Sequence, residues 1–156
     1  MSQSISKNLA GELAPAARIA WSWICAISSG GDMNAANDLL HDDLVYWTNL
    51  DRRSAGKPSV VKLGAWRAKF VPITFTLTRA TAQGDVAVLE LEGEGETARG
   101  DRYDNCYAMI FTIRDGKIVE LREHGDSALM LEVFPGAADA WRAAMDEREV
   151  LRRSLR

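Results

Sequence analysis

After Pro72 the chain reads as three stretches in which apolar and polar residues alternate: "ITFTLTRATAQ", "DVAVLELEGEGET" and "RYDNCYAMIFTIRDGKIVELREHGD". Alternation with period two sends successive side chains to opposite faces of a strand. The third stretch is divided by "RDGK", whose Asp-Gly pair suits a tight hairpin turn. Four strands in an antiparallel meander are therefore predicted, and the rest of the chain must cover or extend that sheet.

What precedes the meander is mostly helical in spacing. In "ELAPAARIAWSWICAIS", residues 12–28, Leu13, Ala17, Ala20, Trp21, Ile24 and Ile27 recur at intervals of three and four, as on an amphipathic helix. Gly30 and Gly31 end it, and Asp32 is placed to cap a short helix "MNAANDLLH". "DDLVYWTN" alternates like a strand, and "PSVVKLGAWRAKF" resumes helical spacing with Pro58 in its first turn, where a missing amide costs nothing. After the meander, "SALMLEVF" and "GAADAWRAAMDEREVLRRSLR" return to helix, broken at Pro135-Gly136. This order predicts an α+β fold: a curved mixed or antiparallel sheet covered by the N-terminal helices, an internal pocket, and a C-terminal helix.

Length and composition narrow the function. A chain of 156 residues is one domain, 1–156, and 47% hydrophobic with 26% charged residues is ordinary for a globular protein. A net charge of −3 argues against nucleic acid, since phosphate binding needs a basic surface, and Arg152, Arg153 and Arg156 read as a solvated helix end. No apolar run approaches the ~18 residues of a membrane span, and "MSQSISKNLAGEL" lacks the pattern of a secretory signal, so a cytoplasmic location is expected. Cys25 and Cys106 read as reduced core or pocket-lining residues. His41 and His124 are far apart, no HxxxH or CxxC spacing occurs, and "SSGGD" is a helix-ending turn. Neither a metal nor a nucleotide cofactor is implied.

The strings "GDMNAANDLLHDDLVYW" and "YDNCYAMIFTIRDGKIVELREHGDSALMLEVF" resemble the SnoaL-like branch of the nuclear-transport-factor-two-like superfamily. The second string carries more of the likeness, with its Tyr-x-Asn-x-Tyr strand, the aromatic before the Asp-Gly-Lys turn, and a last strand closing in Arg-x-His-x-Asp. The resemblance covers roughly residues 12–134 and leaves 136–156 as a helical extension. It implies an α+β cone that commonly pairs as a homodimer through the outer face of its sheet. Its members include ketosteroid isomerases, polyketide cyclases, scytalone dehydratase and limonene epoxide hydrolase, among which fold alone does not choose. The resemblance implies that Asp126 faces the cavity and transfers protons, that His124 shares its face, and that Glu90 and Glu92 lie toward the cavity beside Asn105 and Tyr107. The epoxide hydrolase also needs an Arg two residues before an Asp on the middle strand. Glu90 cannot replace that Arg, so Arg122 would have to supply the cation.

Each candidate has a structural alternative. Asp126 is either a cavity acid or the N-cap of "SALMLEVF". His124 either exchanges protons with Asp126 or a substrate oxygen, or is a half-buried residue bonded within the sheet. Arg122 either anchors a substrate oxyanion or pairs with Glu90 or Glu92. Glu90, Glu92 and Glu94 share one face of their strand, which a solvated surface explains most simply. Trp23, Trp47, Tyr107 and Met109 line a pocket or pack the core, while the Tyr46 phenol is suited to donate to a developing oxyanion. His41 reads as surface or a helix end. Two functions follow: a cofactor-free isomerase, cyclase, dehydratase or epoxide-opening enzyme acting on a small, mostly apolar molecule with a carbonyl, hydroxyl or epoxide oxygen, or a non-catalytic ligand-binding or assembly module. An enclosed cavity around the carboxylates favours the first; carboxylates in bulk solvent favour the second.

Overall fold

The computed structural model describes residues 12–50, 52–136 and 139. The elements are α1 (Pro15–Ile27), α2 (Met33–Asp38), β1 (Leu40–Thr48), β2 (Ser54–Ala55), α3 (Lys57–Phe70), β3 (Ile73–Gln83), β4 (Val86–Gly95), β5 (Asn105–Arg114), β6 (Lys117–Gly125) and α4 (Ser127–Val133). The expected helix over 136–156 and the basic tail lie outside the described residues. Among these, no helix is long and apolar enough to cross a membrane.

The four-stranded meander forms as expected: β3, β4, β5 and β6 pair antiparallel in sequence order. The hairpin between β5 and β6 turns at Asp115 and Gly116, with φ of 53° and 74°, the paired left-handed conformations of a type I′ turn. β1 then adds to β6 in parallel, and β2 adds to β1, giving an open, curved sheet of order β2-β1-β6-β5-β4-β3. β1 begins earlier than the alternation suggested, at Leu40, which is 1% exposed and pairs with Ile118. That apolar anchor takes Leu40 and His41 from the expected helix, so α2 stops at Asp38.

Local chemistry sets the helix ends. Asp32 caps α2 by accepting the amides of Asn34 and Ala35 at 2.9 and 3.2 Å. Pro15 and Pro58 sit in the first turns of α1 and α3. The apolar stripe of α1 packs on the inner face of the sheet, where Ile24, Leu89, Phe111, Ile118 and Leu121 are fully covered and Trp23 meets Phe111 edge-on at 6.0 Å.

Both cysteines are exposed, which corrects the expectation of core positions. Cys25 follows the buried Ile24 and points off the helix stripe; Cys106 lies between inward Asn105 and Tyr107 and so faces outward. Partial burial still pushes the Cys25 thiol up.

Candidate active site

The inner face of the sheet and helices α1, α2, α3 and α4 border a partly open cavity of about 310 Å³. That is the lower end of the roughly 300–1,000 Å³ usual for small-molecule pockets. Its wall is overwhelmingly apolar, with Trp23, Met109 and Phe75 among the contributors, and the polar groups that reach it are few. That is the usual make-up of a small-molecule site.

The register of β6 decides which side chains reach this space. β5 and β6 pair regularly from the turn through Ile113 opposite Ile118, after which Thr112 stands opposite Glu120. Val119 is thus one residue extra, a β-bulge, and every later residue of β6 is displaced by one. Met109 consequently faces Glu123, and Tyr107 faces Gly125. Side chains at 121 and 123 point inward, while those at 122 and 124 point outward.

Glu123 is the carboxylate in the cavity. One side of its side chain fronts the open space, so it retains some accessible surface, but its carboxyl group is surrounded by protein. The Tyr46 hydroxyl donates to Glu123 Oε2. Burial pushes the Glu123 carboxyl above the usual range, opposed by the Tyr46 hydrogen bond and by the nearby Arg67 guanidinium. Burial, reinforced by the Glu123 charge, pushes the Tyr46 phenol well up, so it stays a donor.

Tyr107 stands beside this pair. Its ring lies between two residues without side chains: a Cβ on Gly93 would come 2.9 Å from Tyr107 Cε2, and one on Gly125 would come 3.1 Å from Cδ1. Glycine at both neighbours leaves room for the ring. Its hydroxyl is 3.4 Å from that of Tyr103, a long contact, and Asn105 Nδ2 donates to Tyr103 at 2.9 Å. Burial raises the pKa of both phenols.

The other expected site residues divide clearly. Tyr46, Tyr107, Trp23 and Met109 line the cavity. Arg122, His124 and Trp47 meet on the opposite face of the sheet: the Arg122 guanidinium sits 4.2 Å over the Trp47 ring, and His124 lies 5.2 Å from it. Asp126 is exposed and caps α4, accepting the amides of Ala128 and Leu129 at 3.0 and 3.1 Å. Asn105 is buried but faces a structural task, its side chain bonding both backbone polar groups of Asp126 and so fixing the end of β6. Glu90 points outward and pairs with Arg79 at 3.3 Å, and Glu92 is exposed. An epoxide-hydrolase arrangement built from Glu90, Glu92 and Arg122 is therefore not assembled, because the inward positions of β4 are Ala87, Leu89, Leu91 and Gly93.

Sequence reasoning missed Glu123 and Arg67. Leu121, an apolar residue of the same parity as Glu123, was the available signal. For Arg67 there was none, since its helix carries polar residues on most sides. Glu92, Asp104 and Asp126 border a second, shallower depression on the outer side. Among the described residues no group of three His, Cys, Asp or Glu side chains is placed to hold a metal ion.

An open, curved sheet that lines an apolar cavity, with the Glu123 carboxylate of its last strand reaching into it, defines a pocket protein of the nuclear-transport-factor-two-like kind. The chain belongs to the SnoaL-like domain family, whose model matches residues 23–121. An LEH-like epoxide hydrolase of M. tuberculosis is similar in structure, with a TM-score of 0.67 and 20% identity over 85% of this chain and 98% of that one. A candidate SnoaL-like polyketide cyclase of Shewanella putrefaciens gives 0.70 at 12% identity, over 85% and 92% of the two chains. A Catenulispora acidiphila protein with a ketosteroid isomerase-like fold, solved with trimethylamine, gives 0.60 at 18% over 67% and 82%. At such identities the likeness is one of fold. No curated protein matches the sequence.

Proposed function

We propose that the protein is a cofactor-free acid–base enzyme that acts on a small, mostly apolar molecule carrying an oxygen function. The observation that carries this is the Glu123 carboxyl, enclosed in an apolar cavity and bonded by Tyr46. A carboxyl raised by burial holds its proton closer to neutrality, so it can both take and return one. Tyr46 keeps its own proton and orients the group. Tyr107, kept protonated by burial, would exchange its long contact to Tyr103 for an oxygen on which charge develops. Isomerisation, dehydration, cyclisation and epoxide opening all need this pairing of a proton carrier with a neutral donor.

A thermal-shift screen of terpenoid, steroid and polyketide-like compounds identifies ligands, because a molecule that prefers the folded state raises its apparent stability. Turnover of any hit is then compared with Glu123→Gln. Loss of about 10²–10⁴-fold is expected, the usual worth of general acid–base catalysis, and full turnover in the variant would sink the assignment. The second reading, a non-catalytic ligand-binding module, is favoured by one observation: Asp126, Glu90 and Glu92 lie outside the cavity, leaving it a single carboxylate. On that reading the hits stabilise the protein and are recovered unchanged.

A further inference from the structure

The acid–base reading makes no use of the cavity's buried cation. Arg67, from the last turn of α3, lines the same space as Glu123. Its Nη2 donates to the backbone carbonyl of Ile27 at the end of α1, and its guanidinium carbon lies 5.7 Å from the centre of the Phe75 ring. These two contacts hold the group at the cavity wall. Nη1 is left buried, closed to water and without a hydrogen-bond partner among the described residues. No ion pair joins it to Glu123, although the Glu123 charge lies near enough to favour the ionised guanidinium against the burial that disfavours it.

A buried donor without an acceptor costs about 1–3 kcal/mol, and more when charged. A ligand that brings an acceptor removes that cost; a hydrocarbon of the same shape does not. The guanidinium fork is matched to sp² oxygen, which accepts in the plane the fork presents. We propose that Arg67 anchors the ligand: Nη1 receives a carbonyl or carboxylate oxygen of a mostly apolar molecule and holds its reactive part beside Glu123. Because Nη1 is covered, the side chains around it must move for the oxygen to reach it. The inference rests on the acid–base reading only for what happens next to that oxygen; the binding preference itself needs no turnover.

The test titrates the full chain with three probes of one shape, 2-acetonaphthone, 2-naphthoate and 2-ethylnaphthalene, following tryptophan fluorescence, since Trp23 and Trp66 line the cavity. At least one oxygenated probe binds about tenfold more tightly than the hydrocarbon, the scale of a hydrogen bond to a charged donor. The ketone and the carboxylate separate a neutral oxygen from an anionic one. In Arg67→Met the preference falls to within about threefold, while Lys62→Met, which removes the other cation at the wall, leaves it unchanged. Should Arg67→Met fail to fold, Arg67→Gln, which keeps a donor for Ile27, takes its place. Equal binding of all three probes by the wild type, no binding of either oxygenated probe at millimolar concentration, or a preference that survives loss of Arg67 would each overturn the proposal. Loss of the preference together with full turnover in Glu123→Gln would instead leave the anchor standing and remove the catalytic reading.

Discussion

Replacing Tyr46 by Phe deletes one oxygen from the cavity and keeps the ring, which is 8% exposed and packed in the core. That oxygen donates the one hydrogen bond to the Glu123 carboxylate among the described residues. A hydrogen bond to a charged group contributes about 1.5–3 kcal/mol and one between neutral groups about 0.5–1.5. The loss should therefore depend on whether Glu123 is ionised. Because burial raises the folded-state pKa of Glu123, its contribution to stability is fully present below the ordinary carboxylate value, near ~4.3, and is lost as pH rises through the folded value. Tyr46→Phe raises the folded value further, so the variant loses stability faster over that rise. Urea titrations of both proteins at half-unit steps from pH 4 to 8 should show a cost of roughly 0.5–1.5 kcal/mol at the acid end, growing to about 1.5–3 at the alkaline end. In a Glu123→Gln background the growth should vanish. A cost of Tyr46→Phe that is the same at pH 4 and pH 8 would refute an ionisable Glu123 as its partner.

Three further outcomes are expected. Asp126→Ala should cost about 1 kcal/mol through loss of the α4 cap while ligand affinity is unchanged, and Asp126→Asn should be near neutral in both urea midpoint and turnover; a collapse of turnover in Asp126→Asn would return that residue to the chemistry. Gly93→Ala forces a methyl to within 2.9 Å of Tyr107 and 3.0 Å of Ile73, so a destabilisation of about 1–3 kcal/mol with weakened ligand binding is expected, and a neutral urea midpoint would contradict the close fit. Sedimentation at micromolar concentration should show a homodimer formed through the outer face of the sheet, where Val88, Ile110 and Trp47 are only partly covered; a monomer would count against it.

The meander, the helices before it and the cap of α2 were legible because each rests on local chemistry: alternation in "VAVLELEGEG", the three-and-four spacing of α1, the Asp-Gly turn, the carboxylate of Asp32; Asp126 was read either as a cavity acid or as a cap, and it is the cap. Tyr46, Tyr107, Met109 and Trp23 were found for the same reason, since an aromatic or soft apolar residue on the inward side of a strand or helix faces whatever the fold encloses. What alternation could not convey was its own break. Counting from Arg114 opposite Lys117 in regular steps sets Arg122 opposite Met109 and His124 opposite Tyr107, the very residues the resemblance put in the cavity. The extra residue at Val119 reverses that parity. Only the spacing of Ile118 and Leu121, both fully covered though three apart, betrays it in the sequence. Arg67 lay beyond reach for a different reason: its partner is a backbone carbonyl forty residues away, and carbonyls leave no mark on a sequence.

The bulge also makes the cavity's charge a matter of alignment between two strands. Were β6 to slide by one residue and close it, Glu123 would leave the cavity and Arg122 and His124 would enter, taking away the one carboxylate that offsets Arg67 without altering a single amino acid. Leu121 stands against that slide, since it is 0% exposed and would have to surrender its place in the core, at about 1.5–3 kcal/mol. One aliphatic side chain with no chemistry of its own is thus the guardian of the only acid that lines the cavity among the described residues.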